Sequence, residues 1–190
     1  MDINKKIIEN TFFEHANVIE KTLKKCEKNI KTASEIIFEA LKNRKKILIF
    51  GNGGSAADAQ HLAAEFVCRF VRERKGFPAI ALTTDTSNLT AIGNDYGFNK
   101  IFARQIEALA NKGDVCLGIS TSGNSSNVHE GFQMAESKGC RLVSLLGRDG
   151  GSIKNFNGIN IIIPSNNTAR IQEMHILIGH IFCAIIDNIE

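Results

Sequence analysis

Residues 1–50 contain neither glycine nor proline, and apolar positions recur along them at Phe12, Ala16, Ile19, Leu23, Cys26, Ile30, Ala33, Ile37 and Ala40. Steps alternating between four and three make one helical stripe. The polar patch at 28–31 and the box Thr32-x-x-Glu35 predict a break into two helices near residue 30. The stripe is long for one small domain to cover, so oligomer packing is the expected use of residues 1–44.

From residue 45 the rhythm shortens. Apolar, β-rich runs fall at 46–50, 79–82, 115–119, 142–146 and 159–163. Helical patterns cover 55–71, 100–110, 126–138 and 169–189, the last with Ile171, His175, Ile178 and Phe182 on one stripe. Buried strands alternating with helices predict an α/β fold. Its expected form is a five-stranded parallel sheet flanked by helices, Rossmann- or flavodoxin-like, over residues 45–190, with 1–44 as a helical extension of the same unit.

Composition narrows this only modestly. The chain has 190 residues, 43% of them hydrophobic, enough for one core. A net charge of +3 and the lack of a basic tail give no nucleic-acid footprint. The five cysteines form no CxxC pair and read as small residues in a reducing compartment. With no secretory signal pattern and no uninterrupted apolar run of about 18–20 residues, the expectation is a soluble cytoplasmic protein with no membrane partner.

Two strand-to-helix junctions carry the candidate chemistry, ILIF-GNGGS and CLGI-STSGNSSN. Ligands of open α/β sheets bind at the carboxyl ends of the strands, where small residues admit a ligand and helix N-termini attract anions. The second loop has hydroxyls at Ser120, Thr121, Ser122, Ser125 and Ser126, more than capping requires, although Ser125 reads as an N-cap. Gly51-x-Gly53-x-x-Ala56 matches a dinucleotide pattern, but Glu73 lies before the second strand and Asp85 comes late for the ribose. No Walker motif occurs, and two phosphate-sized loops suit a small phosphorylated metabolite better.

His61 and Glu65 sit four apart on one helical face, fit for acid/base work or for a metal. The last helix adds Gln172, Glu173, His175 and His180. Gln172 and His180 are about 80° apart around the helix. Geometry alone leaves His175 and His180 as alternatives, with His175 on the apolar stripe. Asn94-Asp95 between Gly93 and Gly97 reads as a turn-like polar pair, and His15 and His129 as partnerless surface residues. Zinc accepts donors of the His61, Glu65, Gln172 and His180 types, though glutamine is an unusual ligand.

Four blocks in order, GNGGSAADAQHLAAE, LTTDTSNLTAIGNDYGF, GISTSGNSSNV and TARIQEMHILIGH, resemble the bacterial phosphoheptose isomerases of the SIS fold. The resemblance implies a parallel sheet with helices on both faces, a homotetramer, and isomerisation of sedoheptulose 7-phosphate to D-glycero-D-manno-heptose 7-phosphate for lipopolysaccharide core or other surface glycans. It implies substrate contacts at Asn52, Gly53, Gly54, Glu65, Asn94, Asp95, Ser120, Thr121, Ser122, Ser125 and Gln172. It also implies one zinc per subunit on His61, Glu65, Gln172 and His180, with Glu65 and His180 as the acid/base pair. A non-enzymatic branch, which binds the replication initiator, shares the loops. Its positions matching Glu65 and His180 differ, so this chain resembles the enzymes; the alternative is a non-catalytic module binding that initiator or sensing a sugar phosphate.

Overall fold

The computed structural model describes residues 2–189. Its elements run α1 (Ile3–Lys42), β1 (Ile47–Gly51), α2 (Gly54–Val67), β2 (Ala79–Ala81), α3 (Thr86–Tyr96), α4 (Ile101–Leu109), β3 (Val115–Ser120), α5 (Ser126–Ser137), β4 (Arg141–Gly147), β5 (Ile159–Ile163) and α6 (Thr168–Ile189). The five strands pair in the order β2-β1-β3-β4-β5, all parallel. The expected sheet is therefore present, with each strand within two residues of its expected ends.

The pleat divides the core. Ile47 and Ile49 face a layer built from α1, α2 and α6, together with Leu117, Ile119, Val143 and Leu145. Leu48 and Phe50 face the opposite layer of α4 and α5, where Phe50 packs on Phe102 and Phe132 at ring-centroid distances of 5.4 Å. Alternating side chains of one strand thus bury against helices on both sides, which is why the runs read as continuously apolar.

The expected break near residue 30 is absent, because α1 is one helix of 40 residues. Thr32 does not cap a second helix; its hydroxyl donates to the Lys28 carbonyl one turn back at 3.0 Å. Asp2 caps the start, accepting from the Asn4 N–H at 2.9 Å. The end is a Schellman-type turn, with Lys45 N–H bonded to the Ala40 carbonyl and Arg44 left-handed at φ 56°. The expected stripe is divided between two surroundings. Cys26, Ile30, Ala33, Ile37 and Ala40 are buried in the core, continued by Val18 and Thr22, while Phe12, Ile19 and Leu23 are exposed.

A further difference is α3, which lies where only a loop and a polar turn were expected. Asp85 starts it, accepting from Asn88 N–H at 2.9 Å and from the Asn88 amide at 2.8 Å. No residue of α3 is fully buried, so its apolar signal is weak. By length and mean hydropathy (1.3), Thr168–Asn188 is apolar enough to cross a membrane. Ile171, Met174, Ile178 and Phe182 explain that composition, since they fill the core. The thiols of Cys26, Cys116 and Cys183 are buried, Cys140 is half-buried and Cys68 exposed, all unpaired.

Candidate active site

The chain turns from β1 into α2 on one face of the sheet and from β3 into α5 on the other. β1 and β3 are neighbours, with Gly51 opposite Ile119. This is a topological switch point, and a crevice opens between the two loops at the carboxyl edge. Both sequence-predicted loops flank it.

The first loop starts α2 with Gly53 at the N-cap and no side-chain cap bond. The Ser55 and Ala56 N–H groups bond the Asn52 and Gly53 carbonyls at 3.0 Å each, which leaves the Gly54 N–H of the first turn for a ligand. A Cβ at Gly54 would overlap the Gln172 amide of α6, so a side chain there would require the end of Gln172 to shift. The glycine lets the start of α2 touch α6, and two turns later the same helix pair brings the ionisable groups together. His61 Nε2 lies 2.9 Å from His180 Nε2, and Glu65 Oε1 lies 3.5 Å from His61 Nε2. Phe70 stacks on the His180 ring at 5.4 Å. One turn before His61, Asp58 buries a carboxylate oxygen that has no protein partner. Burial pushes its pKa up, opposed by the nearby His61.

The two histidines of α6 differ in burial. His175 is fully buried, and its Nε2 faces the Leu146 carbonyl at 3.1 Å. Burial pushes its pKa down to about 4, only partly offset by that carbonyl. It is a core residue, whereas His180 reaches His61.

The second loop forms a hydroxyl cluster. Ser120 Oγ is 2.9 Å from Ser125 Oγ and 3.5 Å from Ser122 Oγ, and it accepts the Gly123 N–H at 3.2 Å. Ser125 does occupy the N-cap of α5, but its hydroxyl turns to Ser120 and makes no cap bond. The amides of the α5 first turn are thus left uncapped beside Thr121 and Ser122, an arrangement suited to a phosphate. The turn 149–151 supports the loop from behind. Gly123, at φ 66°, lies so close to Gly150 that a Cβ would overlap its carbonyl.

Asn94 and Asp95 are in the last turn of α3, exposed, with the Asn94 amide donating to Asp95 at 2.8 Å; they form no turn of their own. Among the described residues no hydrogen bond joins them to either loop. Their helix is nonetheless adjacent, since Leu89 and Phe98 line one cavity of about 160 Å³ with Asn52 and Gly53. Of the two acidic candidates for a dinucleotide ribose, Asp85 is committed to capping α3, and Glu73 is exposed on the surface, 3.6 Å from Arg69. His15 has a partner after all, its Nδ1 lying 2.6 Å from Glu173 Oε2, and His129 packs on the Phe156 ring at 4.8 Å.

Two residues had no sequence signal. Arg74, inside the charged run RERKG, is buried against Asp187, with Nε donating at 2.8 Å. It also donates to the carbonyls of Glu65 and Phe66 at 2.9 Å. It therefore ties the end of α2, which carries Glu65, to the end of α6. Asn127 bonds to Asn52 across the crevice.

As to a metal, His61, Glu65 and His180 converge. Two imidazole nitrogens 2.9 Å apart come close to the ~3.3 Å that separates two ligands on a tetrahedral zinc with bonds of about 2.0–2.1 Å. Glu65 adds a carboxylate beside His61, while the Gln172 amide lies against Gly54 at the start of α2. Among the described residues, no three His, Cys, Asp or Glu side chains already form a group that could hold a metal ion.

The SIS domain family model matches residues 11–147. The phosphoheptose isomerase of Nitratiruptor sp. is 58% identical over 181 residues, covering 95% of this chain and 97% of that protein. Among solved structures, a phosphoheptose isomerase from Neisseria gonorrhoeae aligns with a TM-score of 0.92 at 44% identity, over 97% of this chain and 98% of the other. One from Francisella tularensis aligns with a TM-score of 0.94 at 37% identity, with the same coverage. With its crevice at the β1/β3 switch point and this degree of likeness along nearly its whole length, the chain belongs to the phosphoheptose isomerase family of SIS-domain proteins.

Proposed function

We propose that this chain isomerises sedoheptulose 7-phosphate to D-glycero-D-manno-heptose 7-phosphate, opening heptose synthesis for surface glycans such as lipopolysaccharide core or capsule. The observation that carries the reading is the meeting of His180 with His61 and Glu65 on the helix that the GNGGS loop starts, together with a hydroxyl-rich helix N-terminus after the neighbouring strand.

The reaction takes a proton from C1 of the ketose, and the freed electron pair forms the C1–C2 double bond while O2 gains a proton. The cis-enediol then takes a proton at C2 and loses one from O1, leaving the aldehyde. Each half needs one base and one acid, and Glu65 and His180 are the groups placed to alternate in these roles. Ser120, Thr121, Ser122 and Ser125 hold the phosphate with the α5 amides, so that binding energy from the remote end positions C1 and C2. Asn52, Gly53, Gly54 and Gln172 line the sugar, with Asn94 and Asp95 reaching it from α3.

One zinc per subunit suits the donors of His61, Glu65, Gln172 and His180; when bound it supplies polarisation of the substrate carbonyl and charge stabilisation. The working form we infer is a cytoplasmic homotetramer. Ile3, Phe12 and Phe13 are each more than 70% exposed on the first part of α1, apolar surface that a second copy can cover. Unpaired thiols suit a reducing compartment.

The deciding experiment incubates the protein with sedoheptulose 7-phosphate, with and without zinc, and follows the aldose by NMR. Conversion is expected. Its absence under both conditions would leave the non-catalytic module, binding a sugar phosphate or the initiator, as the better reading.

A further inference from the structure

The two loops of the crevice are joined by one pair of side chains. Asn52 Nδ2 donates to Asn127 Oδ1 at 2.8 Å, and Asn127 Nδ2 donates back to Asn52 Oδ1 at 2.8 Å. The residues are 75 apart in sequence. Asn52 directly follows β1, and Asn127 is the second residue of α5, 3% exposed.

An asparagine in a helix first turn ordinarily bonds its own local backbone. Here the side chain is instead committed to the neighbouring loop. A primary amide has two N–H donors and two acceptor lone pairs. The reciprocal pair uses one of each on both residues, which fixes the plane and rotamer of both amides. Asn52 keeps one N–H and one lone pair, and it lines the small cavity with Gly51, Gly53 and Ala56. Asn127 belongs to the helix whose N-terminus holds the hydroxyl cluster. The pair therefore sets the distance and angle between the phosphate turn and the GNGGS backbone.

We propose that Asn127 is a positioning residue for the reaction, acting through Asn52 to hold the sugar-facing loop in register with the anchored phosphate. The inference rests on the isomerase reading, in which Asn52 faces the sugar. A side chain that acts only through another has a distinct kinetic signature, because removing either partner disables the same device.

The test compares Asn52→Ala, Asn127→Ala and the double variant, all checked for unchanged thermal melting. Asn127→Ala is expected to lower kcat/KM about tenfold, the size of one well-made hydrogen bond, and Asn52→Ala by at least as much, since Asn52 also faces the sugar. The double variant should fall only as far as Asn52→Ala alone, not by the product of the two losses. The inhibition constant of inorganic phosphate should stay within about twofold of the parent in Asn127→Ala, since the backbone amides and hydroxyls that bind it remain. A double variant that multiplies the two losses would overturn the proposal. So would a phosphate constant that weakens in step with kcat/KM, because that would mark a general distortion of α5. An arm independent of turnover uses the ligand-free protein. The Asn52 and Asn127 side-chain amide protons should exchange slowly in NMR, and each signal should collapse to fast exchange when the other residue is alanine. Fast exchange of both in the parent protein would refute the pair itself. If the parent converts no substrate yet keeps the slow signals, the isomerase reading has failed and the pair has not. Should Asn127→Ala not fold, Asn52→Ala alone reads the same signal on Asn127.

Discussion

At the amino edge of the sheet Asp114 is buried and saturated. It accepts from Lys46 Nζ at 2.5 Å, from the Lys46 N–H at 3.1 Å and from the Asn111 N–H at 2.8 Å. Burial alone would raise its pKa, but Lys46 and the two amides outweigh it and hold the carboxyl below the usual range. In the last turn of α2 Glu65 has no such set of donors; His61 lies 3.5 Å away. His180 shares one contact with His61 and leaves the rest of its ring against Phe70. The same residue types thus differ in how fully their bonding capacity is used. Where every lone pair is used, the group holds the fold; where capacity is left over beside a crevice, the group is available to a substrate.

The comparison is broken most directly by neutralising the unsaturated side. Glu65→Gln and His180→Gln should each lower turnover by roughly 10²–10⁴-fold, the range of a positioned acid or base, with melting temperature unchanged. Steady-state conversion of sedoheptulose 7-phosphate checks this, and near-parental turnover in either variant would remove that residue from the pair. The saturated side should respond in reverse. Arg74→Met leaves Asp187 buried without its cation, held only by the Val71 and Arg72 N–H groups, and removes the donor to the Glu65 and Phe66 carbonyls. Breaking such a pair costs about 3–5 kcal/mol, and a urea unfolding curve should show it as a lowered midpoint. A midpoint equal to the parent's would mean the clamp contributes nothing to stability.

His175 sharpens the contrast within one helix, because it shares α6 with His180 yet is buried and neutral. Its folded pKa is depressed to about 4 from an ordinary 6.5. The unfolded chain therefore binds a proton that the folded chain refuses. The contribution is complete above about pH 6.5 and declines as pH falls toward about 4, by on the order of 3 kcal/mol in all. Unfolding midpoints should fall between pH 7.5 and pH 5 in the parent, and less steeply in His175→Leu. Equal slopes in the two proteins would place the acid sensitivity elsewhere, for instance on Asp114 and Asp187, whose carboxyls are held below their ordinary values.

Much of this was legible from the chain because the signals were local. Strands buried on both faces read as short apolar runs, and the two loops stood out as small residues at strand ends. What escaped depended on contacts made across the fold. Arg74 reads as part of a solvated charge run until α6 brings Asp187 beside it. Asn127 reads as one more polar residue after a serine-rich loop until β1 and β3 become neighbours. α3 has only Leu89 and Ile92 to mark its inner side, too few for a periodic signal. The absent break in α1 has a different cause: a capping box competes with an unbroken helix, and without glycine or proline the helix prevails, Thr32 bonding backwards instead.

The smallest effect separates binding from chemistry among the unsaturated groups themselves. Ser122 Oγ accepts the Asn124 N–H at 3.1 Å, and among the described residues its only other hydrogen-bond contact is Ser120 Oγ at 3.5 Å. Its own proton is thus available to a phosphate oxygen, while Ser120 is engaged with Ser125 and Gly123. Ser122→Ala should therefore weaken binding by roughly 0.5–1.5 kcal/mol, or up to about 3 because the acceptor is charged. It should appear in KM and in the inhibition constant of inorganic phosphate, with kcat near the parent's, because the lost contact lies at the anchored end and is made equally in ground and transition states. A fall in kcat with KM unchanged would instead place Ser122 beside the reacting carbons, and the phosphate would then have to lie elsewhere along the crevice.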